Sequence, residues 1–184
     1  ARDALVEART AAPADRDIFE ELGGIHEALE EHEALEGLYR SELDRSEGED
    51  DEEWHVDLLV RLAAVLERGL DRPEEAAAAY EEALSLRKHN LYALMALERI
   101  YGGLLKWHDL VRVLQTKLEV LHSERDRVQV HLQIGQVLWE RVGEPDEAVQ
   151  HFRLVLERDD SNAEAVAGLE RILADGGPVM QVAF

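Results

Sequence analysis

The stretch EEAAAAYEEALSLRKHNLYALMALERIY, residues 74–101, returns as DEAVQHFRLVLERDDSNAEAVAGLERIL, residues 146–173, at a constant offset of 72. The two agree at Glu75/Glu147, Ala76/Ala148, Leu84/Leu156, Asn90/Asn162, Ala93/Ala165 and through Leu97-Glu98-Arg99-Ile100/Leu169-Glu170-Arg171-Ile172. Tyr80 faces Phe152 and Tyr101 faces Leu173, so bulk is kept where identity is lost. A fixed period in a chain rich in helix formers means stacked units, each too small to bury its own apolar face.

The same spacing runs outward in both directions. Phe19, Leu22, Gly23 and His26 fall three and four apart on one helical face, with Asp15 as the N-cap; Leu35, Leu38, Tyr39 and Leu43 form the stripe of the next helix. Leu59, Leu62, Ala63 and Leu66 mark a further first helix, and Pro73 opens its partner. Leu94, Leu97, Ile100 and Tyr101 pair with Leu110, Leu114 and Leu118; Ile134, Gly135 and Leu138 pair with the helix that Pro145 opens. Residues 1–12, closed by Pro13, read as the second half of a pair. Residues 163–174 read as a first half, stopped at Gly176-Gly177-Pro178. The acidic run Ser46–Glu53 predicts a solvated loop around Gly48, with its later acids in the first turn of the following helix. The expected fold is all-α, about ten helices in antiparallel pairs, one domain over 1–177 with a C-terminal tail at 178–184.

Composition narrows the function. The net charge of −21 repels phosphate, so neither nucleic acid nor an anionic membrane is an expected partner, and no apolar run approaches the ~20 residues of a membrane span. The acidity concentrates in residues 1–55, with 19 acids against 5 bases. Cysteine is absent, which excludes disulfide and thiolate chemistry and fits a reducing compartment, with the cytoplasm as the expected location. Seventeen arginines against three lysines point to a GC-rich bacterial source. The chain begins Ala1-Arg2-Asp3, without an initiator Met, and is expected to be a fragment of a longer protein.

No catalytic constellation emerges. The Gly-Gly pairs lack the Lys-Ser/Thr of a phosphate loop, and His26 and His32 lie six apart, where a metal-binding helix spaces its histidines by four. Enzyme activity, a bound metal and a cofactor are therefore not expected.

These spacings resemble the tetratricopeptide repeat. Its 34-residue pattern places a large residue at position 4, Leu at 7, a small residue at 8, an aromatic at 11, Ala at 20, an aromatic at 24 and Ala at 27. Residues 128–162 supply His131, Ile134, Gly135, Leu138, Ala148, Phe152 and Val155, allowing one extra residue in the mid-turn. Residues 56–90 supply Leu59, Leu62, Ala63, Leu66, Ala76, Tyr80 and Ala83 with the same insertion; 16–45 and 91–126 complete the set, and 1–12 and 163–174 are half repeats. The resemblance implies a right-handed α-solenoid and a concave groove that binds proteins. It also exposes a departure: the close-approach positions 8 and 27 hold Glu98 and Lys117 in repeat 91–126. Either these two pair with their stems side by side, or both heads turn outward to water.

Carried over from the family, the groove positions hold Arg61 and Arg68, then Tyr92, Met95 and Arg99, then Gln129, Gln133, Gln136 and Trp139, and finally Arg171. Arginine, aromatic and amide groups are usual anchors for a protein segment, here expected to be acidic. The same arginines could instead balance local acids between helices. The Lys and Asn of the chaperone-binding carboxylate clamp are replaced by Val60, Ala64, Met95 and Arg99. The resemblance thus implies a non-catalytic adaptor; the alternatives are a regulatory arm of a larger enzyme or kinase, or a spacer in a longer array. The apolar tail Pro178–Phe184 either covers the last helix or mediates self-association.

Overall fold

A computed structural model describes residues 2–48 and 51–176, and among them there are ten α-helices and no strand. By internal packing the chain divides into two compact units, 1–96 and 97–184, with the division inside one helix. The tail from residue 178 on, with its two readings, lies outside the described residues.

The first unit contains α1 (Arg2–Ala11), α2 (Arg16–Ala28), α3 (His32–Ser46), α4 (Glu52–Arg68), α5 (Pro73–Leu86) and the start of α6 (Leu91–Gly103). From α1 to α5, each helix packs on the next in sequence, the short turns forcing neighbours antiparallel. Phe19, Leu35, Tyr39, Leu59, Leu66 and Tyr80 are nearly or wholly inaccessible. Each such side chain contributes about 1.5–3 kcal/mol by leaving water. His26 and His32 sit on different helices, so their spacing in sequence does not decide their separation in space.

The second unit holds the remainder of α6, then α7 (Trp107–Val120), α8 (Glu124–Val137), α9 (Pro145–Leu156) and α10 (Ala163–Ala174). Here α8 touches both α9 and α10, as first helices of successive repeats do when they stack. Phe152, 1% exposed, explains the small residues around it. A Cβ added at Gly135 on α8 would lie 2.8 Å from its ring, and one at Gly168 on α10 would lie 2.6 Å from it.

Local sequence sets the boundaries. Asn90 and Asn162, identical across the repeat, each accept a hydrogen bond at 3.1 Å from the amide three residues on (Ala93 and Ala165), capping α6 and α10. Asp15 and Ser123 cap α2 and α8 in the same manner. Asp51 caps α4, whose first turn contains Glu52 and Glu53. That is the placement expected for the later part of the acidic run.

Every first helix hands over to its second through one kind of turn. Glu30, Asp71, Leu105 and Gly143 have φ of 55°, 53°, 57° and 84°, each two residues before the next helix begins. The amide after them reaches back to a helix carbonyl: Glu31 to His26 and Lys106 to Tyr101, both 2.9 Å, spanning five residues. In the two repeats read as carrying an extra residue the span is six, Arg72 to Leu66 at 2.8 Å and Glu144 to Leu138 at 2.9 Å. The insertion is absorbed in the second case by a π-helical turn, Leu138–Val142, which widens the helix without breaking its hydrogen bonding.

Candidate functional site

In the first unit, α4 brings Arg61 and Arg68 to a cavity of about 270 Å³ whose walls include Glu27, His32, Leu35, Tyr39 and Val65. Arg61 is already engaged. Its Nη1 donates to both oxygens of Glu20 on α2 at 3.0 and 2.8 Å, its Nε lies 2.8 Å from Asp57, and its guanidinium stands 5.9 Å from the Trp54 ring. Burial acts to lower its pKa, but Glu20 and Asp57 outweigh burial and raise it. Arg61 thus bridges Glu20 on α2 and Asp57 one turn earlier on its own helix. The Tyr39 hydroxyl donates to Glu27 at 3.4 Å and is pushed up to about 12 by burial first and by Glu27 second.

Arg68, two helical turns further along α4, is exposed. On α6 the groove positions Tyr92 and Met95 are exposed at 45% and 54%, unusual for such large apolar groups. The Tyr92 ring stands 6.2 Å from the buried ring of Tyr80. Burial, then Tyr92, push the Tyr80 hydroxyl up, while the charge of Arg68 pulls it down, so Arg68 and Tyr92 both act on one phenol.

In the second unit, Lys117 Nζ donates to Glu98 Oε2 at 2.6 Å, and Gln133 Nε2 donates to Glu98 Oε1 at 2.9 Å. The amide of Gln133 is thus committed to the interior. Gln129 and Gln136 are exposed on the same helix, and Trp139 in the π-helical turn is half-buried. Arg99 is exposed and has interactions of its own. Arg171 on α10 lies 3.7 Å from Glu140.

Two polar clusters went unread in the sequence. Glu42 is fully buried, and it accepts from Arg45 through Nε at 3.0 Å and Nη2 at 2.7 Å, from Trp54 Nε1 at 3.3 Å, and from Arg9 Nη2. Burial would raise its carboxyl, but Arg45, Arg9 and Trp54 together hold it below the ordinary carboxylate range. A signal existed: Glu42 follows Tyr39 by three and Leu35 by seven, squarely on the apolar stripe, with Arg45 one turn on. The other cluster joins His131 on α8 to His151 on α9, Nδ1 to Nδ1 at 3.0 Å. Both are lowered by burial; His151 reaches about 4, with His131 as the second cause. In the sequence His131 stands at position 4 of its repeat, where only bulk is expected. Among the described residues no group of three or more metal-ligating side chains converges.

Residues 56–90 match the family model described as Tetratricopeptide repeat. Among solved structures, the chain is similar to YrrB, described as a TPR protein with an unusual peptide-binding site, at 20% identity and a TM-score of 0.58, covering 96% of this chain and 85% of that one. A tetratricopeptide repeat protein from Parabacteroides merdae ATCC 43184 aligns at 17% identity with a TM-score of 0.57. That alignment covers 86% of this chain, which spans only 60% of the other. MamA aligns at 14% identity with a TM-score of 0.56, over 87% of this chain and 82% of its own. No curated protein matches the sequence.

Proposed function

We propose, from the tetratricopeptide repeat at 56–90 and an all-helical fold shared with solved tetratricopeptide-repeat proteins, that this chain is a non-catalytic scaffold that holds a segment of another protein. The contact face we assign in the first unit is Arg68, Tyr92 and Met95. Its carrying observation is the exposure of Tyr92 and Met95 on α6, with the Tyr92 ring 6.2 Å from the buried ring of Tyr80, together with the exposure of Arg68 on α4. An aromatic ring, a pliable thioether and a guanidinium are the groups that anchor protein interfaces. The guanidinium selects a carboxylate, so the segment is acidic with apolar residues between its charges.

In the second unit, Gln129, Gln136 and Trp139 offer amides and an indole suited to an extended backbone. Arg99 and Arg171 would join them by exchanging their present interactions for the ligand. The peptide site reported for YrrB supports the class of ligand, though not these residues.

The test is titration of a fluorescent Asp/Glu-flanked leucine peptide into the whole chain at physiological salt. Arg68→Ala and the pair Tyr92→Ala/Met95→Ala should each weaken binding severalfold with the helical circular dichroism unchanged. Binding equal to the parent in both variants would overturn this face.

A further inference from the structure

A second cavity lies in the first unit, where α3 and α5 both pack on α4 and leave a gap of about 630 Å³ between them. That size falls within the ~300–1,000 Å³ typical of ligand pockets. Its floor is α4, where Leu59, Leu62 and Leu66 repeat at helical spacing, each nearly sealed by its neighbours yet contributing to the wall. On the α5 side the wall is Ala78 and Ala79, whose short side chains leave the gap open.

The rim has one sign. Asp44 on α3, Glu47 at its C-terminal cap, and Glu75 and Glu82 on α5 border the opening, with Arg40 among them and His55 at one end. Arg40 is already shared, donating to Glu36 at 3.0 Å and to Glu75 at 3.3 Å. That leaves Asp44, Glu47 and Glu82 to set the field over a slot with a leucine floor and mostly polar walls.

We propose that this gap is a docking site for a basic amphipathic segment of a partner protein. Leucine-sized side chains on one helical face would enter over Leu59, Leu62 and Leu66. Lys or Arg residues flanking them would meet Asp44, Glu47 and Glu82. The recognition is a helix laid in a groove, with the slot supplying affinity and the rim supplying the choice of charge. It uses none of Arg68, Tyr92 or Met95, and its ligand has the opposite charge to theirs, so the two sites stand or fall separately.

The probe is a labelled peptide with three leucines at helical spacing flanked by lysines, titrated into the whole chain at physiological salt. Removing the rim charges (Asp44→Asn, Glu47→Gln, Glu82→Gln together) should weaken it by about tenfold. Filling the slot with Ala78→Trp should do the same without altering charge. Removing three exposed acids elsewhere (Glu144→Gln, Asp160→Asn, Glu170→Gln) should change binding less than twofold. Equal losses from rim and remote charge removal would reduce the effect to general attraction by an acidic protein and overturn the site. So would undiminished binding to Ala78→Trp, or equal binding of a peptide with its leucines replaced by serines, the behaviour of a polyamine-like cation site.

Discussion

Lys117 on α7 and Glu98 on α6 meet through their charged ends at 2.6 Å. Both are largely shielded, at 15% and 22% side-chain exposure. Glu98 gains a second donor from Gln133, so its carboxylate is satisfied on both oxygens. Two long side chains are accommodated here because their heads neutralise one another. Removing one partner strands the other. Glu98→Ala should cost about 1–2 kcal/mol in urea unfolding, and Lys117→Ala less, because Gln133 remains on Glu98. The double variant should be milder than the sum by ~1 kcal/mol in a double-mutant cycle. Strict additivity would show that the pair contributes no coupling.

Phe152 is held from two sides, and relief from one glycine moves it onto the other. Gly135→Ala and Gly168→Ala should therefore each destabilise by about 1–3 kcal/mol through overpacking, although alanine favours a helix by up to ~1 kcal/mol. The check is the unfolding midpoint of each variant; a rise in either would mean the ring can retreat.

The handover turns predict the reverse effect at Leu105. Its φ of 57° places a branched side chain in the left-handed region while 64% of the residue is exposed, so there is little packing to lose. After the entropic cost of glycine in the unfolded chain, Leu105→Gly should stabilise by about 0.5–1 kcal/mol. Gly143→Ala, at the equivalent turn with φ of 84°, should destabilise by ~1 kcal/mol. Unfolding curves for the pair read both signs.

The histidine pair makes stability depend on pH. His151 is depressed to about 4 in the folded chain, against an ordinary value near 6.5, so the unfolded chain binds the proton more readily. Its contribution is complete above pH ~6.5 and is lost as the pH falls towards 4. Arg127 and Arg158, which add to the lowering of His131, act in the same sense; Glu124 opposes them. Between pH 7 and 5 the parent should lose about 1–2 kcal/mol more than His151→Gln does. Parallel pH profiles for the two would remove the pair from the account.

Glu42 should prove the most sensitive single site in the first unit. Glu42→Ala leaves Arg9 and Arg45 without their buried carboxylate, at a cost of about 3–5 kcal/mol. Because Arg9 ties α1 to α3, proteolysis near Pro13 should accelerate in the same variant. Since the carboxyl is held low, its contribution is present at neutral pH and lost on acidification below the ordinary carboxylate range.

The recurrence of Leu, Ala and aromatic residues at three- and four-residue spacing specified the helices, their order and the faces they bury, because helical geometry converts spacing into direction. The caps at Asn90 and Asn162 and the prolines at 73 and 145 were equally legible, each acting on backbone only a few residues away. The Glu98–Lys117 contact was within reach as well, since it joins two fixed positions of one repeat. What only the folded chain decides is which long polar side chains meet. Arg61 finds Glu20 forty-one residues away, Arg9 finds Glu42, and His131 finds His151, through rotamers and helix offsets that periodicity leaves open. The gap between α3 and α5 belongs to the same class, because a space is set by how far two helices stand apart, and no residue in either one encodes that distance alone.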